Sequence, residues 1–100
     1  MFYTIEQAKK QVEKLEALKR LEQNDDFKDV ILNGYCDAQS DVLVSLLSQA
    51  ASKQQYKERC EKLKAISYLK QFLLCVRLEG EQAEAALKDP EIYKEMEESK

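Results

Sequence analysis

The sequence predicts an all-α protein: a small bundle of four to five helices, with a helical hairpin core and a short capped docking helix. Three observations carry that prediction. The chain of 100 residues holds only two glycines and one proline, too few for the many turns of a sandwich or barrel. No stretch alternates apolar and polar residues as a half-buried strand does. Apolar residues recur instead at spacings of three and four over long charged segments. At this length one hydrophobic core is expected, giving a single helical domain over 1–88 and an acidic tail, partly helical or disordered, over 89–100.

The first helix is expected to open at Thr4, with Gln7 completing a capping box, and to run to about Gln23. Ile5, Ala8, Val12 and Leu15 form its stripe, which Leu18 and Leu21 continue by threes. Strict heptads fail at Lys19 and Glu22, which argues against a long parallel coiled coil. Glu6/Lys10, Lys9/Glu13 and Glu16/Arg20 are spaced for surface ion pairs.

Residues 25–33 read as the docking helix. Asn24, Asp25 or Asp26 can cap its start, and Asn33-Gly34 reads as its stop, with Gly34 in the left-handed conformation. Phe27, Val30 and Ile31 would share its inner face, with Tyr35 adding a contact beyond the cap. Asp37 or Ser40 then opens a helix over about 38–51, whose Val42, Leu43, Leu46, Leu47 and Ala50 make a broad apolar face widened by Val44.

The fourth helix is expected over about 54–78. Tyr56, Cys60, Leu63, Ile66, Leu69, Leu73 and Val76 make the clearest periodic stripe in the chain, and Gly80 reads as its stop. Phe72, Leu74, Cys75 and Leu78 widen its apolar surface. A last short helix would span 82–88. Asp89-Pro90 then reads as a cap followed by proline at a first helical position, with Ile92, Tyr93 and Met96 as anchors in the tail. The fold should rest on Phe27, Ile31, Tyr35, Leu46, Leu63, Ile66, Leu69 and Phe72.

The net charge of −3 conceals an alternation. Residues 1–24 carry a net +1, 25–52 carry −4, 53–80 carry +4 and 81–100 carry −4. The basic segment should therefore pair with an acidic neighbour, within the chain or across a contact. Lys57, Arg59, Lys62, Lys64 and Lys70, with Tyr56 and Tyr68, could meet nucleic acid, but interleaved Glu58 and Glu61 and the acidic whole favour a solvated helix face.

The chemistry of an enzyme is missing from the pattern, so none is expected. There is no histidine to activate a cysteine nucleophile. Asp25, Asp26 and Asp29, and Asp37 and Asp41, stand at helix starts, where capping and the helix dipole favour carboxylates. The 13 residues from Asp25 to Asp37 lack the ligands of a calcium loop. Cys36, Cys60 and Cys75 form neither a disulfide framework nor a zinc spacing and fit a reducing compartment. No cofactor or metal is expected. The N-terminus does not read as a signal peptide, and the apolar run 72–76 is too short for a bilayer, so no membrane is expected.

What the pattern does contain is surplus apolar surface on the helices over 38–51 and 54–78. Either the short helix and tail cover it, or it meets a protein. Leu43, Leu74, Leu78 and Tyr93 are the candidates for partner contact.

The residues Asn24–Tyr35, Asp41–Leu47 and Ala65–Leu73 resemble a group of small tailed-bacteriophage proteins. These share a D-F-K-x-V-I-x-x-G-Y segment, a Leu-rich helix, and an A-I-x-x-L-x-Q-F-L helix followed by an acidic tail. The likeness covers about residues 18–98 and leaves out the helix over 4–18. It implies a virion structural or assembly protein, made in the host bacterial cytoplasm, whose partners are itself or phage capsid, portal or tail proteins. The motif is structural and carries over no catalytic or ligand residue. Two other roles stay open: a phage-encoded inhibitor that binds a host protein through the acidic tail, and a DNA-packaging adaptor that uses the basic helix over 54–78.

Overall fold

A computed structural model describes residues 4–98, and all regular structure among them is helical. The elements are α1 (Ile5–Glu22), α2 (Asp25–Phe27), a π-helical segment (Lys28–Ala38), α3 (Gln39–Leu47), α4 (Lys53–Lys88) and α5 (Pro90–Glu98). They fall into two compact units, one built from residues up to 21 and from 73 onward, the other from residues 22–72. The helix α4 contributes to both.

In the first unit the expected capping box is present. The Thr4 hydroxyl accepts from the Gln7 N–H at 3.1 Å, and the Gln7 side chain accepts from the Thr4 N–H at 3.1 Å. The α1 stripe is buried at Ile5, Ala8, Leu15 and Leu18, whereas Leu21 is exposed. Ile5 and Ala8 pack with Ala83 of α4 and Met96 of α5, and Val12, Ala86, Leu87 and Tyr93 close around them. The expected stop at Gly80 is not used, and the separate helix expected over 82–88 is the continuation of α4. Gly80 is buried against Leu15, where a Cβ would lie 2.4 Å from the Leu15 Cβ. Its missing side chain admits the neighbouring helix and does not end its own.

Within the region expected as a tail, Asp89 caps α5 by accepting from the N–H groups of Glu91 and Ile92 at 3.0 and 3.3 Å, and Pro90 takes the first helical position. Met96 is buried and Tyr93 half-buried in the same unit as α1. Residues 99 and 100 lie outside the described residues.

In the second unit Asn24 is the cap, its side chain accepting from the Phe27 N–H at 2.9 Å. The expected stop at Gly34 is absent. No described glycine has a positive φ, and the helix runs without interruption from α2 through the π segment into α3. Asp37 and Ser40 accordingly cap nothing. The Gln39 N–H bonds to the Gly34 carbonyl, and the Ser40 hydroxyl donates back to the Cys36 carbonyl at 2.7 Å. The π register aligns residues five apart. Ile31 and Cys36 therefore share a face, and they meet Leu43, Leu63, Ile66 and Leu69 in the core of a helical hairpin. The same register leaves Val30 62% exposed, contrary to its expected inward position.

The hairpin turn ends with a second capping arrangement. Ser52 accepts from the Gln55 N–H at 3.2 Å, and Gln55 reaches back to the Ala51 N–H at 2.8 Å. Ile66 is 2% exposed, and Phe27, Ile31, Leu46, Leu63 and Leu69 are half-buried as fold residues should be. Tyr35 and Phe72 are exposed instead, so neither is the core residue expected.

Candidate protein-contact surface

One of the expected charge pairings occurs inside the second unit, and a second basic side chain is engaged there without an acidic partner. Lys70 lies 3.6 Å from Asp37 of the π segment, and the Arg59 guanidinium donates to the Leu46 carbonyl at the C-terminal end of α3. The Leu46 carbonyl also accepts from the Gln49 N–H at 3.1 Å, and that end carries the negative pole of the helix, so a cation there is well placed. Arg59 and Lys70 are thus engaged within the fold, and the basic face of α4 is narrower than the sequence implied.

The outward side of α4 has a feature of its own. Lys57, Glu61, Lys64, Tyr68, Gln71, Cys75, Leu78 and Gln82 follow one another at spacings of 4, 3, 4, 3, 4, 3 and 4, and every one is exposed. This is a heptad seam, the spacing that keeps one side of a helix in line with a partner helix. Of these, Tyr68 and Gln71 in the second unit and Cys75 and Leu78 in the first carry no charge. Phe72 and Leu74 flank them, 60% and 54% exposed. The nearest exposed charge on the edge, Lys70, is the one turned toward Asp37.

The four contact candidates separate. Leu74 and Leu78 lie on this face and are about half exposed. Leu43 is 4% exposed and packs against Cys36 and Ile66, inside its own unit. Tyr93 is half-buried against the core of the first unit. Tyr68, Gln71 and Cys75 were not singled out as contacts, although the seam was readable. The inward stripe of the same helix is stronger and draws attention first.

Among the described residues no three Cys, Asp or Glu side chains converge as a metal site, and no helix is long and apolar enough to cross a membrane. Comparison with protein-family models, with curated proteins and with solved structures gives no match.

Proposed function

We propose that this chain is a non-enzymatic structural or assembly protein that works through helix-mediated protein contacts, in the setting its resemblance implies, a tailed-phage particle. The observation that carries the reading is the exposure of large apolar side chains on α4 in each unit, Tyr68 and Phe72 in the second and Leu74 and Leu78 in the first. Apolar side chains held at helical spacing on a solvent face cost free energy until something covers them. The test is quantitative mass spectrometry of purified particles from the encoding phage. A fixed copy number per particle is expected, and absence from particles overturns the reading.

A second reading, the DNA-packaging adaptor, has one observation in its favour. Lys53, Lys57 and Lys64 share the outward side of α4 with exposed Tyr68. It requires binding whose affinity falls steeply with salt, as phosphate contacts release counterions. Binding unchanged by salt, or none, removes it.

A further inference from the structure

We propose that the hairpin arm from Asp29 to Leu47 is a two-register device. The π turn between Asp29 and Gly34 tightens to an α turn, and the helix beyond it rolls. Tyr35, Val42 and Leu46 then replace Cys36, Leu43 and Leu47 against α4. The arm and the core residues it meets, Leu63, Ile66 and Leu69, lie wholly within the second unit, and the device stands apart from the particle role.

π turns occur mostly singly inside α-helices, whereas the π segment runs for 11 residues. A π turn holds one residue more than an α turn between its bonded groups. Tightening one turn therefore advances everything beyond it by one residue step, about 100° around the axis. The residue that then faces inward is the one before the residue that faces inward now.

The sequence suits both settings. Cys36, Leu43 and Leu47 stand 7 and 4 apart, and Tyr35, Val42 and Leu46 precede them at the same spacings. In the register observed, Cys36 and Leu43 are buried with Ile66, while Tyr35 and Val42 are 38% and 50% exposed. Leu46 and Leu47 are both half-buried. The roll carries no charge into the core. Buried and half-buried residues from Cys36 to Leu47 are preceded by Tyr35, Gln39, Val42, Ser45 and Leu46, so Asp37 and Asp41 stay outside. Gly34 sits at the pivot. A Cβ there would lie 3.0 Å from the Asp29 carbonyl oxygen five residues back, a tight contact that favours glycine in the π turn. The Lys70–Asp37 pair that ties the π segment to α4 is solvent-exposed and holds the observed register only weakly. A partner that contacts one apolar set selects the register that presents it.

Cys36 reports the change, because it is buried now and turns outward in the second register. In the full chain carrying Cys60→Ser and Cys75→Ser it is the sole thiol, and its rate of reaction with an aromatic disulfide reagent follows its exposure. Gly34→Ala crowds the π turn and favours the α turn. It is expected to raise Cys36 reactivity about tenfold with helix content by circular dichroism unchanged. In the same background with Cys36→Ser, the thiol of Tyr35→Cys is expected to lose reactivity. A folded Gly34→Ala chain in which Cys36 stays protected, or in which both positions gain reactivity together, overturns the proposal. Val42→Asp tests it without touching the turn, and decides alone if Gly34→Ala unfolds. The carboxylate sits in water in the observed register and would be buried in the second. Val42→Asp is expected to slow Cys36 labelling about tenfold. An unchanged or faster rate overturns the proposal, because labelling then proceeds by a route that leaves position 42 in water.

Discussion

Gly80→Ala is the perturbation that most directly tests how α1 and α4 pack. In an exposed helix interior the change would stabilise by about 1 kcal/mol, since alanine loses less backbone entropy. Here the added Cβ would lie 2.4 Å from the Leu15 Cβ, with two further Leu15 atoms at 3.0 and 3.1 Å. Carbon atoms pack at about 3.5–4.0 Å, so the helices must part by roughly 1 Å at this level. Leu15 is fully buried and cannot swing aside. Overpacking of this kind costs about 1–3 kcal/mol, which offsets or outweighs the helical gain and leaves a net loss of up to about 2 kcal/mol. Thermal unfolding followed by circular dichroism should show a fall of about 4–8 °C for each kcal/mol lost. Leu15→Ala does not relieve the clash, because the offending atom is the Cβ that alanine keeps. Gly80→Ala should therefore still destabilise in a Leu15→Ala background. A rise in melting temperature on Gly80→Ala, or its rescue by Leu15→Ala, would refute the close approach.

Other substitutions separate inner from outer residues. Ile66→Ala should cost about 2–5 kcal/mol in denaturant unfolding as the hairpin core loses a fully buried side chain. Phe72→Ala, at a 60% exposed position, should stay within about 0.5 kcal/mol in the same assay. Arg59→Ala removes the donor to the Leu46 carbonyl, and a loss of about 1 kcal/mol is expected by urea titration. Gln11→Met should raise stability by about 1 kcal/mol, because the Gln11 Oε1 is buried with no hydrogen-bond partner; a loss in calorimetry would show that the oxygen is satisfied.

The parts of this fold that were legible in the sequence are those decided within a few residues. The Thr4/Gln7 box, the Asn24 cap and the Asp89-Pro90 start each depend on atoms three residues apart, and each forms. The glycines misled for the same reason. A glycine that ends a helix and a glycine that admits a neighbour look alike locally, and only Leu15, distant in sequence, distinguishes them at Gly80. The π segment was invisible because periodicity was read at the α-helical repeat, which aligns Phe27 with Val30 and Ile31. The register actually adopted aligns Ile31 with Cys36. Burial of Leu43 together with exposure of Val42 and Val44 has a related cause: a helix apolar all round does not declare which side its partner will take.

The distribution of charge on α4 also bears on what the helix meets. Of the basic residues that made 53–80 strongly positive, Arg59 and Lys70 are engaged within the second unit. On the outward seam Glu61 sits between Lys57 and Lys64, and the next four seam positions carry no charge at all. A phosphate backbone rewards closely repeated cations and gains nothing from Tyr68, Phe72, Leu74 and Leu78 in a row with one amide. A helix of a protein partner gains buried area from such exposed apolar side chains in either unit. The two readings differ in their response to salt. Association through these apolar side chains should change less than about tenfold between 50 and 200 mM salt, since burial of apolar area is little screened. Binding through phosphates should fall by orders of magnitude over the same range. Retention of the chain on purified particles across that range therefore tests the apolar side chains directly, and a steep loss would mean that charge, not Tyr68, Phe72, Leu74 and Leu78, holds the partner.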